Sequence, residues 1–140
     1  MPTTSETILA ALKTLLEGTG ARVERNIAIP ASVPAAGLII LRDGEPGDPE
    51  VTMSPLAYEY DHRAEVEIYV QKATGRETVL DGLKAAIGPL LAADRTLGGL
   101  CLWVEPVAPK INALPMEGAA TILAAGIDVR LIYLTTDPLA

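Results

Sequence analysis

Residues 58–71 read YEYDHRAEVEIYVQ. Tyr58, Tyr60, His62, Ala64, Val66, Ile68 and Val70 occupy one phase and are mostly apolar, while Glu59, Asp61, Arg63, Glu65 and Glu67 occupy the other and are all charged. Successive side chains of a strand point to opposite faces, so a period of two predicts a long strand with one face buried and one face in water. At a rise of ~3.4 Å per residue this stretch spans roughly 48 Å, which is long for a globular strand.

On its N-terminal side, residues 51–54 read as a short strand leading into the long one, and the segment DGEPGDPE at 43–50 has the composition of a turn or loop. Leu38, Ile39, Ile40 and Leu41 form a continuous apolar run, the pattern of a buried strand. Pro30 and Pro34 predict an extended, exposed link, because proline donates no ladder hydrogen bond. Residues 22–29 alternate loosely and predict a short edge strand. At the beginning of the chain, Ile8, Leu9, Leu12, Leu15 and Leu16 make one helical stripe, so a helix is expected over 5–17. Thr3 with Glu6 has the spacing of a capping box, and Gly18 and Gly20 supply the stop.

On the C-terminal side, Thr74 and Glu77 repeat the capping-box spacing, and Val79, Leu80, Leu83, Ile87, Leu90 and Leu91 continue at helical intervals to about residue 93. Pro89 is expected to kink the last turn, because it removes a backbone donor. A turn at 96–99, a strand at 100–105 (LCLWVE) and a proline-containing surface loop at 106–118 follow. Residues 119–135 close the fold as a strand, with Ile127, Val129, Leu131 and Tyr133 on one face and Asp128 and Arg130 on the other. This order predicts one α+β domain over residues 1–140. It should contain a mostly antiparallel sheet of four to five strands, with two helices packed on one face.

The composition excludes several classes. The 140 residues are 49% hydrophobic and 21% charged, as in a folded domain rather than a disordered chain. A net charge of −7 with no basic run opposes binding to nucleic-acid phosphates. No apolar run approaches the ~18–20 residues that span a bilayer. The N-terminus lacks the basic region of a signal peptide, which together with the single cysteine predicts a soluble intracellular protein.

Candidate chemistry is sparse. His62, the only histidine, lies on the apolar phase of the long strand, where a partly buried structural or interface role is expected. Cys101, the only cysteine, has no basic neighbour in sequence to lower its pKa and reads as a small buried hydrophobe. Asp43, Glu45, Asp48 and Glu50 fail the twelve-residue calcium-loop pattern; they read as a solvated hairpin tip, or as a loop meeting a partner or lining an acidic opening. Glu65 and Glu67 share a strand face with Arg63, and Arg130 opposes them if the closing strand pairs antiparallel. Cross-strand ion pairs or an interface explain these four more simply than acid–base catalysis. The glycines of TLGGL and TGRET lack the spacing of a phosphate cradle. No catalytic, metal or cofactor site is expected.

The stretch YEYDHRAEVEIYVQ, the helix VLDGLKAAIGPLLAAD, the phrases TLGGL and WVEP, and the closing AATILAAGIDVRLIYLTT resemble the tail-terminator (tail-completion) family of long-tailed bacteriophages over nearly the whole chain. That resemblance implies an α+β subunit assembling as a homo-oligomeric, hexameric ring on the tail tube. The ring stops tube growth and joins the tail to the head connector proteins. It further implies a life in the host cytoplasm during assembly and then in the virion tail, phage or prophage, with no cofactor. Alternatives are another phage neck or tail-tube component, a small enzyme such as a transferase using Cys101 or His62, and a regulatory or ligand-binding domain.

Overall fold

The alternation at 58–71 folds as part of one 16-residue strand, β4 (Leu56–Gln71). Its partner is the closing strand, β7 (Ile122–Thr135), antiparallel in unbroken register from Tyr58↔Thr135 to Gln71↔Ile122. The structure, a computed structural model, describes residues 1–114 and 121–140. Around this pair the chain places α1 (Thr4–Leu16), a 3₁₀ turn (Glu17–Thr19), β1 (Arg22–Arg25), β2 (Leu38–Glu45), β3 (Glu50–Met53), α2 (Arg76–Ala93), β5 (Trp103–Pro106) and β6 (Lys110–Leu114).

The fold is α+β, with two helices and a mixed seven-stranded sheet ordered β1-β2-β4-β7-β5. The expectation of four to five mostly antiparallel strands is therefore only roughly right. The extra strands arise because both rows flanking the central pair are broken. β2 and β3 lie end to end along β4, pairing at Leu38↔Tyr69 through Glu45↔Arg63 and then at Glu50↔Glu59 through Met53↔Leu56. β5 and β6 lie end to end along β7 in the same way. The mixed character comes from β1, which runs parallel to β2.

That parallel pair explains the continuous run at 38–41. Ile39 and Leu41 belong to the main core under the helices, with Val66, Ile68 and Val70. Leu38 and Ile40 face the other way and are covered by Ile27 and Val33 from the connection between β1 and β2. A strand buried on both faces reads as unbroken hydrophobe. The link containing Pro30 and Pro34 is thus not wholly exposed. Val33 is buried and donates its N–H to Gln71 Oε1 at 3.0 Å.

The helices lie on one sheet face, α1 through Ile8, Leu9, Leu12 and Leu16, α2 through Leu80, Leu83, Ile87 and Leu91. Thr3 Oγ1 accepts the Glu6 N–H at 3.2 Å, one half of a capping box; the Glu6 carboxylate turns instead to Arg25. The second capping box is not made, because Gly75 rather than Thr74 is the N-cap and no side chain caps the helix. Pro89 lies inside α2, which continues through it to Ala93. Three expected loops and strands also move. Asp43 and Glu45 belong to β2 rather than to a loop, β5 starts only at Trp103, and Pro106 and residues 110–114 of the expected surface loop are in strands. Residues 115–118 of that loop, and the start of the closing segment at 119–120, lie outside the described residues.

The register slip that ends β2 falls between Arg42 and Glu45, at Gly44, whose φ is +64°. A Cβ on Gly44 would collide with the Arg63 carbonyl, whereas Gly47, at φ +67°, has open space around it. Gly47→Ala therefore carries only the left-handed backbone penalty of ~1–2 kcal/mol. Gly44→Ala adds a backbone clash, and a total loss of about 3 kcal/mol is expected, read as the larger drop in urea midpoint.

Candidate functional site

The alternating phase leaves the sheet face opposite the helices as a charged floor. On β4 this face presents Glu59, Asp61, Arg63, Glu65 and Glu67; on β7, Asp128 and Arg130. The charges pair across the strands in a pattern set by register. Arg130 sits opposite Arg63, not Glu65 or Glu67, and reaches diagonally to Asp61, with Nη2 2.8 Å from Oδ2 and Nε bonding the same carboxylate. That guanidinium holds the Asp61 carboxyl below its ordinary range. Arg63 approaches Asp128 at 4.0 Å, a loose pair. Glu67 accepts from Arg42 Nε at 2.7 Å and from the Tyr69 hydroxyl at 2.9 Å.

Glu65 differs. No ion pair holds it among the described residues, and its carboxyl is pushed up, by desolvation first and then by Glu67 and Asp128, against weaker opposition from Arg42 and Lys110. Two shallow cavities, of about 300 and about 220 Å³, share Glu65 and Gly126 on their floors and make one groove across this face. Arg63, Asp128, Val107 and Lys110 line one end, Ile29, Tyr69 and Ala124 the other. Glu65 and Glu67 do not form a working acid–base pair, because the Glu67 Oε1 is occupied by hydrogen bonds from Arg42 and Tyr69.

The four acidic residues at 43–50 divide. Asp43 is structural: Arg25 Nε donates to its Oδ1 at 2.7 Å while the Arg25 terminal nitrogens clamp both Glu6 oxygens at 2.8 and 2.7 Å. This joins α1, β1 and β2, and lowers the Glu6 and Asp43 carboxyls through the Arg25 hydrogen bonds. Glu45, Asp48 and Glu50 are exposed and form no ion pair among the described residues.

His62 is buried, with Nε2 2.6 Å from the Asp43 carbonyl oxygen and Nδ1 2.8 Å from the Tyr133 hydroxyl. A carbonyl can only accept, so Nε2 carries a proton and donates it to Asp43, while Nδ1 shares a hydrogen bond with the Tyr133 hydroxyl. The ring thereby pins the irregular end of β2 to the central pair. Its place on the apolar phase was readable in sequence; its partners, 19 and 71 residues away, were not. Cys101 is buried with its thiol pushed up to about 11, chiefly by desolvation, which opposes a nucleophilic thiolate. Among the described residues no three His, Cys, Asp or Glu side chains stand together as a metal-holding group, and no helix is long and apolar enough to cross a membrane.

The feature that sequence reasoning missed is an apolar end to the sheet. Among the described residues twelve large apolar side chains stand exposed. Six of them, Val51, Met53, Leu56, Leu102, Trp103 and Leu134, lie where β4 begins and β7 ends. All four residues of β3 are exposed, and Met53 is 79% accessible. Val51, Met53 and Leu56 continue the core-facing phase of Tyr58 and Tyr60 outward along the β3–β4 hairpin. Trp103, with Arg95 5.2 Å over its ring, and Leu134 share the opposite face. Apolar side chains grouped at one end of a sheet, rather than scattered singly, are the kind of surface that interaction sites use. No family model and no curated protein matches the chain.

Glu65→Gln tests the charged floor. The folded pKa of Glu65 is raised, so its ionised form weakens the fold above that pKa, and the effect vanishes once the carboxyl is protonated in both states. The carboxyl keeps access to water, so the gain at pH 7 is expected at about 0.5 kcal/mol. The advantage of the glutamine variant over wild type should shrink to nothing as pH falls below the ordinary glutamate range. Urea titrations across pH measure it.

Proposed function

We propose that the chain is a structural virion subunit of the tail-terminator kind. It assembles as a ring, six-membered as the family resemblance implies, on the end of a phage tail tube, where it stops tube growth and joins tail to head. The observation that carries this reading is the apolar end of the sheet. The β3–β4 hairpin extends the central pair into solvent with Val51, Met53 and Leu56 uncovered, and Leu102, Trp103 and Leu134 beside it. Leaving such side chains in water costs about 25 cal/mol for each Å² of apolar surface, which a neighbouring subunit recovers on assembly.

In this reading the work is assembly in the host cytoplasm, then service in the virion tail, with tail-tube and head connector proteins as partners. Electron microscopy of tails assembled without this protein is expected to show tubes of irregular, excessive length. Adding the purified protein should cap them at one end, and native mass spectrometry should find a closed ring at high concentration or with tubes present. A protein that leaves tube length unchanged and stays monomeric in both conditions would sink the reading.

Glu45, Asp48 and Glu50 are the acids free to face the ring's passage, where negative charge repels DNA phosphates; Asp43 is excluded from this role by Arg25. Neutralising the three together (Glu45→Gln, Asp48→Asn, Glu50→Gln) is expected to leave ring formation intact and to slow DNA ejection severalfold. Unchanged ejection and infectivity would remove the role.

A further inference from the structure

The edge of a sheet presents a row of unpaired backbone N–H and C=O groups, and the natural cover for such a row is another strand. This sheet has two such margins. On one, β1 pairs only with β2 and β3 only with β4; on the other, β5 and β6 pair only with β7, among the described residues. Val23 of β1 is buried, whereas all four residues of β3 are exposed, so β3 is the open strand of the first margin.

Strand sense decides what fits it. β3 and β7 both run antiparallel to β4, and β5 and β6 run antiparallel to β7, so β3 points opposite to β5 and β6. A second copy in the same orientation therefore offers β5 or β6 to β3 as an antiparallel neighbour, with the helix-side faces continuous. Such a contact joins two different surfaces, as a cyclic ring requires.

Steric fit and charge both select β6. Through β2, β1 lies level with residues 66–69 of β4; through β7, β6 lies level with residues 67–71. A copy set level, with its β5 on β3, would drive its own β6 into β1. A copy shifted along the strands, with β6 on β3, avoids that collision. On the face opposite the helices the β3–β4 hairpin sets Glu50 against Glu59, a like-charged pair. β5 would bring Glu105 to that face, whereas β6 brings the exposed Lys110. An exposed ion pair adds little stability, so the charge selects the strand and the backbone ladder holds it. On the helix side β6 brings Ile111, 53% exposed, to Val51, 49% exposed.

We infer that β6 of one subunit pairs antiparallel with β3 of the next, with Ile111 opposite Val51 and Lys110 diagonal to Glu50, as the repeating joint of the ring. The inference rests on the ring reading above. The net charge of −7 on each copy opposes approach, and salt screens that repulsion beyond a Debye length of ~8 Å at physiological ionic strength.

Cysteine pairing tests the joint, since the native Cys101 is buried. Under mild oxidation with tail tubes present, a chain carrying Val51→Cys and Ile111→Cys should give a ladder of disulfide-linked oligomers on non-reducing gels. Each single variant should stay unlinked, and a mixture of the two singles should stop at covalent dimers. A chain with Val51→Cys and Trp103→Cys, which probes β5 instead, should link at least tenfold less. As a second probe, Lys110→Glu should lower the ring fraction severalfold by native mass spectrometry, and Glu50→Lys on the same chain should restore it. No ladder from a double-cysteine variant that still forms rings overturns the joint and leaves the ring reading standing. So does a stronger ladder from the β5 pair, and so does a ring fraction indifferent to Lys110→Glu. Absence of any ring from the unsubstituted protein defeats both readings.

Discussion

Everything in this fold depends on the unbroken pairing of β4 with β7. Fourteen consecutive residue pairs, Tyr58↔Thr135 to Gln71↔Ile122, fix which face each side chain takes. The side-chain period of a strand is two, so a slip of one residue would carry Val66, Ile68 and Val70 into water and Glu65 and Glu67 under the helices. The helices add to this choice rather than make it. Their stripes are complementary to a face that the two strands have already segregated. The same ladder sets the ion pairs: the register places Arg130 opposite Arg63, whose like charge repels it, and diagonal to Asp61, whose carboxylate it takes.

The flanking rows are less regular, and that irregularity shapes the surface. β2 stops where Gly44 presses on the Arg63 backbone, and Pro46, Gly47 and Pro49 carry the chain out before β3 rejoins the row. On the other side Pro106 ends β5, and Pro109 precedes β6. A proline cannot donate to a ladder, so both breaks are written where the sequence withdraws donors. His62 ties one of them down by giving its Nε2 proton to the Asp43 carbonyl, which satisfies a backbone acceptor near the slip. The result is an unbroken central pair whose flanking rows are each made of two shorter pieces.

The legible parts of this sequence were those whose information is local. Alternation gave β4 and β7, helical spacing gave α1 and α2, the place of His62 followed from phase, and the burial of Cys101 followed from its apolar neighbours. Features decided by partners far along the chain were not legible. Asp43 and Glu45 look like loop residues, yet Arg25, Asn26 and Arg63 draw them into β2. Thr74 has the right spacing for a capping box, but the left-handed Gly75 takes the N-cap and the threonine is left outside. LCLWVE is apolar enough for a six-residue strand, but only its second half finds β7. The candidate site divided in the same way. The charged phase of β4 was visible, whereas the choice of Asp61 for Arg130 needed a register that no single strand contains.

The apolar end was hidden for a related reason. Leu56 and Tyr58 continue the alternation of the core residues that follow them, whereas Val51 and Met53 join that face only across the β3–β4 hairpin, through a pairing the sequence does not spell out. Val51, Met53 and Leu56 stand exposed because β4 is longer than the layer that covers it. At ~3.4 Å per residue its 16 residues span roughly 54 Å, whereas the 18 residues of α2 at ~1.5 Å each reach only about 27 Å. The mismatch leaves apolar strand face beyond the end of the helices, and the second helix, already anchored by Leu80 through Leu91, cannot slide to cover it. Apolar strand face that its own chain leaves uncovered is interaction surface in kind, because apolar side chains grouped at one end of a sheet gain by leaving water.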